Sequence, residues 1–203
     1  MEPRVVLGAD GVTRCWWGAS TPDYAVYHDT EWGFPVDDDD RLFEKLSLEG
    51  FQSGLSWLTI LRKRDDFRRV FHRFDYRRVA RMGEPDVRRL LEDASIVRHR
   101  RKIESTINNA RRAIDLAAEF GSLGGFFWGF EPQTSPSPRL VSESPESRAL
   151  AKELKRRGFT WVGPTTAYAF MQAMGLVNDH VRACDVHPEV EVVRAGFVRP
   201  GRG

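Results

Sequence analysis

The stretch Asp93-Ala94-Ser95-Ile96-Val97-Arg98-His99-Arg100-Arg101-Lys102-Ile103 decides the fold. A short helical pattern, Val87 to Asp93, runs into the tight Ala94-Ser95 turn, and a long helix follows with the apolar stripe Ile103, Ile107, Ala110, Ile114 and Ala117. Arg98, His99, Arg100, Arg101 and Lys102 crowd the start of that helix, where cations oppose the macrodipole. The conflict resolves if an anion binds there, because free amides and cationic side chains then converge on one phosphate. Short helix, tight turn and basic helix start, at about residues 86–112, form the pattern of a helix-hairpin-helix clamp on a DNA backbone. Such contacts position a protein without reading sequence. The plainer alternative is an ordinary turn with a wet, basic surface.

Charge is distributed to match. The formal net charge is only +2, but residues 60–112 carry 17 basic and 8 acidic side chains, against 4 and 11 in residues 1–59. A strongly positive middle segment calls for a polyanionic partner, most simply nucleic acid. Arg far outnumbers Lys, so an arginine-preferring composition is the competing explanation. No apolar run approaches membrane-spanning length, and the start, MEPRVVLGADG, lacks a signal-peptide core. A cytoplasmic location is therefore expected.

Outward from the hairpin the chain is helical. The acidic run Asp37 to Asp40 precedes Leu42, Phe43 and Leu46, where carboxylates favour a helix N-terminus. The stripe Leu42, Leu46 then reaches Glu49, putting a carboxylate on an apolar face. Ser56 is placed to cap a helix with Trp57, Ile60, Leu61, Phe67, Val70 and Phe71 inside. Gly121 to Pro138 reads as an aromatic, Gly/Pro-rich connection with FFWGF as its packing element. Ser144-Pro145-Glu146 starts a helix that Gly158 stops, Pro164 opens another through Met174, and Asn178 or Asp179 caps a last one carrying His180 and Cys184. With few convincing strands, the expected fold class is all-α.

Two cysteines, one near each end, each have a histidine at metal-ligand spacing: Cys15 with His28, and His180 with Cys184. Two thiolates and two imidazoles make a closed, tetrahedral zinc set. Spacing alone leaves two buried free cysteines as an equal alternative, and His187 as a substitute ligand. Around Cys15 and His28 crowd Trp17, Tyr24, Tyr27 and Trp32, and Glu49 and Trp57 follow on the next two helices. Aromatic rings with one half-buried carboxylate suit a flat, cationic ligand. Glu31 and Asp29 compete with Glu49 as the important acid, and a Trp-rich core with a satisfied Glu49 is the bland alternative.

The motifs RCWW, YHDTEWGFP, LFEKLSLEGFQSGLSW, IVRHRRKI, RGFTWVGPTTAYAFMQAMGLVNDH and the final Cys184 resemble, in order, the 3-methyladenine DNA glycosylase I family. The resemblance runs from about Arg14 to about Pro188. It implies the helix-hairpin-helix DNA glycosylase fold, its terminal segments joined by one structural zinc ion (Zn2+) on Cys15, His28, His180 and Cys184. It also implies a base pocket of Trp17, Tyr24, Tyr27, Glu49 and Trp57, with Trp32 close by. Glu49 and Tyr27 are the expected catalytic pair in hydrolytic excision of 3-methyladenine from alkylated double-stranded DNA. Gln52, Gly54 and Leu55 are the candidate wedge for the gap left by a flipped base, and Arg98 to Lys102 the backbone contacts.

No lysine stands convincingly at the position of a lyase nucleophile, so base release without strand cleavage is expected. The domain expectation is an extension over residues 1–13, one glycosylase domain over 14–188 and a tail over 189–203, acting as a monomer with no obligate protein partner. The rival from another class is a non-enzymatic, zinc-containing DNA-binding or damage-sensing module. Three positions depart from the family pattern: Ser95, where the hairpin commonly has Gly, and Phe51 and Ser53 in the loop between Glu49 and Trp57.

Overall fold

The computed structural model describes residues 4–133 and 141–201. A two-stranded antiparallel ribbon, β1 (Val5–Leu7) and β2 (Thr13–Cys15), opens the chain, with Val5 paired to Cys15. Eleven α-helices follow among the described residues: α1 (Pro22–Thr30), α2 (Asp39–Gln52), α3 (Trp57–Arg62), α4 (Arg64–Val70), α5 (Tyr76–Val79), α6 (Glu84–Glu92), α7 (Arg100–Phe120), α8 (Leu123–Phe127), α9 (Pro145–Arg156), α10 (Pro164–Ala173) and α11 (Val186–Gly196). The architecture is thus mostly helical, with the ribbon the one departure from an all-α expectation. None of these helices is long and apolar enough to cross a membrane.

The central element is α2, which packs against α3, α7, α8 and α10. Asp38 caps it by accepting from the Arg41 amide, as the acidic run requires. Its apolar face feeds a phenylalanine core in which Phe51 lies 4.6 Å from Phe67, ring to ring, and Phe67 stacks on Phe71. Helices α3 and α4 divide the single helix expected after Ser56, because the chain bends at Lys63.

On α7 the buried stripe is Ile103, Ile107, Ala110, Ala113 and Leu116, while Ile114 is 41% exposed. The buried face rotates along the helix, from Ile103 and Ile107 to Ala113 and Leu116, because α7 packs against α5 and α6 and also against α8. The aromatic connection contains a short helix, α8, capped by Ser122. Residues 134–138 of that connection lie outside the described residues.

The C-terminal region departs most from expectation. Residues 176–185 form turns, and α11 begins only at Val186. Side chains able to cap a helix are used elsewhere: Asp179 accepts from Tyr168 and Gln172, and Asn178 donates to His187 O and Glu191. Residues 189–196, expected within a tail, continue α11 and bury Val190 fully. The two ends of the chain meet through β2. The Asp185 amide donates to Thr13 O at 2.9 Å, and Asp185 accepts from the Thr13 amide at 2.7 Å.

Candidate active site and metal centre

Three helices place the aromatic cluster. Thr21 caps α1 and Pro22 starts it, which puts Tyr24, Tyr27 and His28 within two turns on the side facing the fold. On α2, Lys45, Glu49 and Gln52 recur at i, i+4 and i+7 and share one face. Ser56 caps α3 so that Trp57 is its first residue, and the Tyr24 hydroxyl accepts from the Leu58 amide at 3.0 Å. These elements enclose a cavity of about 310 Å³ lined by Trp17, Tyr24, Tyr27, Trp32, Glu49 and Trp57, with Lys45, Gln52 and Asp179 also reaching it. The volume lies at the lower end of the range for small-molecule sites. Trp17 meets Trp32 edge-on at 4.9 Å and Tyr24 at 5.6 Å, and Tyr27 lies 5.5 Å from Trp57. Each ring braces another, so the walls are set before any ligand arrives.

Glu49 is 6% exposed and pairs with the ammonium of Lys45 at 2.8 Å. The same Lys45 Nζ donates to the Tyr27 hydroxyl at 2.8 Å and sits 3.3 Å above the Trp57 ring. Burial pulls the Lys45 pKa below the ordinary lysine value, against the opposing pull of Glu49. Burial also pushes the Tyr27 phenol well up, reinforced by the charge of Glu49. The competing acids are engaged elsewhere. Glu31 is held by a two-pronged pair with Arg64, and Asp29 by Arg14 and His28.

Beside this cavity lie Cys15, His28, His180 and Cys184, all buried, with one ligand atom from each within 4.8 Å of the others. His180 Nδ1 is 3.8 Å from Cys15 Sγ, 3.7 Å from Cys184 Sγ and 3.1 Å from His28 Nε2, and Cys184 Sγ is 3.6 Å from His28 Nε2. Tetrahedral zinc bonds give edges of about 3.6 Å for S–N and about 3.3 Å for N–N, so this donor set fits a metal. The outer nitrogens reinforce it. His28 Nδ1 faces Asp29 at 2.8 Å and His180 Nε2 faces the Trp32 carbonyl at 2.9 Å. With both outer nitrogens donating, two inner lone pairs point at each other in a buried space, an arrangement that calls for a cation. Gly18 is required here, because a Cβ on it would come within 2.6 Å of the His28 ring. His187 is not part of the group. The expected helix linking His180 and Cys184 is replaced by a turn in which the Cys184 amide donates to Val181 O, while the Val181 amide donates to Cys15 Sγ.

The hairpin is α6, the 93–99 turn and α7. Ser95 lies outside the positive-φ residues. Its amide and hydroxyl instead donate to Asp93, and Arg69 bonds both Asp93 and Ser95. Serine is therefore accommodated without backbone strain, and one turn amide is already satisfied within the chain. His99 caps α7, accepting from the Lys102 amide at 3.4 Å. Arg98, His99, Arg100 and Arg101 are exposed, and Arg100 pairs with Glu84 across the hairpin and with Glu104 one turn along α7.

Lys102 departs from the expected phosphate contact. Its side chain is buried and donates to Phe51 O at 2.8 Å and Ser53 O at 2.6 Å. An ammonium near the end of a helix satisfies orphan carbonyls, so Lys102 locks α2 to α7. Beyond it, Ser53, Gly54 and Leu55 project with Leu55 41% exposed, and Gly54 takes φ +82°, a conformation that favours glycine. Phe51 faces the core, so its departure from the family pattern leaves the pocket wall untouched.

Known proteins with this architecture sharpen the picture. A family model described as methyladenine glycosylase matches residues 16–187. The chain belongs to the methyladenine glycosylase family. DNA-3-methyladenine glycosylase 1 of Escherichia coli (strain K12) is 48% identical over 182 residues, covering 86% of this chain and 97% of that protein. The DNA-3-methyladenine glycosylase of Haemophilus influenzae is 42% identical over 178 residues, covering 85% and 96%. A crystal structure of a 3-methyladenine DNA glycosylase I superposes with a TM-score of 0.80 at 48% identity, covering 86% of this chain and all of that one. A structure addressing 3-methyladenine recognition by the Staphylococcus aureus enzyme superposes with a TM-score of 0.81 at 35% identity, covering 86% and 96%.

Within this family member, the six aromatic and acidic residues singled out from sequence share one cavity, and the four metal-ligand candidates share one cluster. Of the wedge candidates, Gln52 lines the cavity while Gly54 and Leu55 stand exposed. Lys45 was missed. The visible signal was a lysine four residues before Glu49, a spacing that pairs charges on a helix. Asp179 and Gln172, which hold each other at the cavity edge, gave no signal, because their approach depends on α10 and the 176–185 turns.

Proposed function

We propose that this protein is a monofunctional DNA-3-methyladenine glycosylase of base-excision repair. It flips the lesion out of alkylated duplex DNA and hydrolyses its glycosidic bond, leaving an abasic site without strand cleavage. The observation that carries this is a carboxylate, Glu49, buried in a cavity walled by tryptophans and tyrosines. Methylation at N3 makes the adenine a cation, so it departs as a neutral base and little acid assistance is needed. The protein must extrude the nucleotide, hold the flat base in a dry pocket and admit water to a sugar gaining oxocarbenium character.

In this reading Trp17 and Trp57 contact the ring faces, and Tyr24 and Trp32 brace the walls. Glu49 accepts from the adenine edge and Tyr27 orients it. Leu55, at the tip of the exposed loop, fills the gap in the duplex with Gln52 and Gly54 behind it, and Arg98, His99, Arg100 and Arg101 approach the backbone. Cys15, His28, His180 and Cys184 would hold one zinc ion. With all four positions filled by side chains, the ion is structural and supplies no water activation. It braces β2 and α1, and thereby Trp17 and Tyr27, against the 176–185 turns.

Chromatography of free bases released from methylated duplex DNA tests the proposal. Release of 3-methyladenine without 7-methylguanine is expected. Release of several alkylated bases overturns the narrow specificity, and no release by folded, metal-replete protein leaves a non-enzymatic DNA-binding module.

A further inference from the structure

Resting on that functional reading, we propose that Lys45 is a positioning residue of the base pocket. Its ammonium ties together Glu49, Tyr27 and Trp57, presenting Glu49 to the base through one open oxygen and Tyr27 as a hydrogen-bond donor. Lys45 stands one helical turn before Glu49 on α2, is 6% exposed, and directs its polar contacts to those three side chains. An ammonium has three donors and no acceptor. One goes to Glu49 Oε1, one to the Tyr27 oxygen and the remainder faces the Trp57 indole at 3.3 Å.

Two consequences follow from the chemistry of the partners. The Tyr27 oxygen accepts from Lys45, so its own hydrogen points elsewhere and is available to a ligand. Glu49 is held through Oε1, which leaves Oε2 to accept from an adenine edge. The Trp57 face beneath Lys45 is occupied, so a base stacks on the opposite face. A buried ion pair is a weak source of stability compared with an apolar side chain of similar size. Its placement among three pocket residues is therefore what accounts for a lysine here. With Glu49 compensated, selection of the lesion rests on hydrogen-bond geometry and shape more than on bare negative charge.

The groups facing Lys45 are Glu49 on its own helix, Tyr27 and Glu31 from the α1 side, and Arg64 from α4. Burial lowers its pKa below the usual lysine value, so an alkaline loss of function arrives earlier than for an exposed lysine.

Single-turnover excision of 3-methyladenine from methylated duplex, across pH, should be compared for the wild type, Lys45→Met, Glu49→Gln and the double variant. Binding of free 3-methyladenine, followed by tryptophan fluorescence, provides a second readout. Lys45→Met is expected to slow excision by about tenfold or more and to lose the wild-type alkaline limb. Added to Glu49→Gln it should change nothing further, because residues acting as one unit are non-additive. The double variant has an uncharged pocket floor and keeps this comparison readable if the single one folds poorly.

A wild-type rate and pH profile in Lys45→Met overturns the proposal, as does full additivity in the double variant. A borohydride-trapped protein–DNA adduct that Lys45→Met abolishes also overturns it, by making Lys45 a nucleophile. A wild type that releases no base defeats the functional reading alone. Equal affinity of wild type and Lys45→Met for free 3-methyladenine then overturns the Lys45 assignment on its own.

Discussion

Glu49 owes its prominence to what its neighbours are doing. Three acids near the aromatic cluster were plausible partners for a cationic base, and two are consumed by pairs with Arg64 and with Arg14 and His28. Glu49 alone of the three lines the cavity. Glu49→Gln keeps the shape and replaces a carboxylate oxygen by a donor. Excision of 3-methyladenine should fall about 100-fold, equivalent to about 2.7 kcal/mol of transition-state stabilisation. Single-turnover base release measures it, and release at the wild-type rate together with unchanged base affinity would remove Glu49 from the mechanism. The same scale explains Lys102. A basic residue at a helix start suggests phosphate, but the carbonyls of Phe51 and Ser53 lie within reach of its ammonium and claim it.

At the scale of elements, helices with strong caps and regular stripes were legible. Asp38, Ser56 and Ser144 sit at the N-caps the sequence suggested. The 176–185 segment was not, because its backbone groups bond to β2 and to Cys15 and its side chains to α10 and α11. The cap of α3 has a functional consequence, since Trp57 is the first residue after it. Ser56→Ala removes the acceptor for the Thr59 amide. It should cost about 1 kcal/mol, a fall in Tm of roughly 2–4 °C for a chain of this size. Base affinity should weaken in parallel as Trp57 loses its fixed orientation. Calorimetry and fluorescence titration read the two effects, and an unchanged Tm would show that the Tyr24 hydroxyl on Leu58 suffices to hold the helix start.

At the scale of the whole molecule, the Cys/His cluster brings the two ends of the chain together and shares Trp17 and Trp32 with the aromatic cavity. Metal bound there stabilises the folded state because no such site exists in the unfolded chain. Stripping it should lower Tm by more than about 10 °C, since each kcal/mol is worth roughly 2–4 °C at this length. Activity of the protein that stays folded should be reduced far less. Elemental analysis with thermal melts before and after chelation tests this, and equal Tm values would contradict a structural metal.

The motifs that resemble the family named the pocket residues and the Cys/His cluster that could hold a metal. The sequence by itself determined the helical class, the hairpin and the capped helix starts. Those features are carried by local periodicity, capping and residue chemistry, which neighbours along the chain specify. Only the tertiary structure decided which charges meet. Lys45 with Tyr27 and Trp57, Lys102 with the end of α2, Arg69 with Asp93 and Ser95, and β2 with the 176–185 turns are choices among several partners of suitable chemistry. A buried charge goes to whichever opposite charge or carbonyl the packing brings within about 3 Å, and packing is a property of the whole fold.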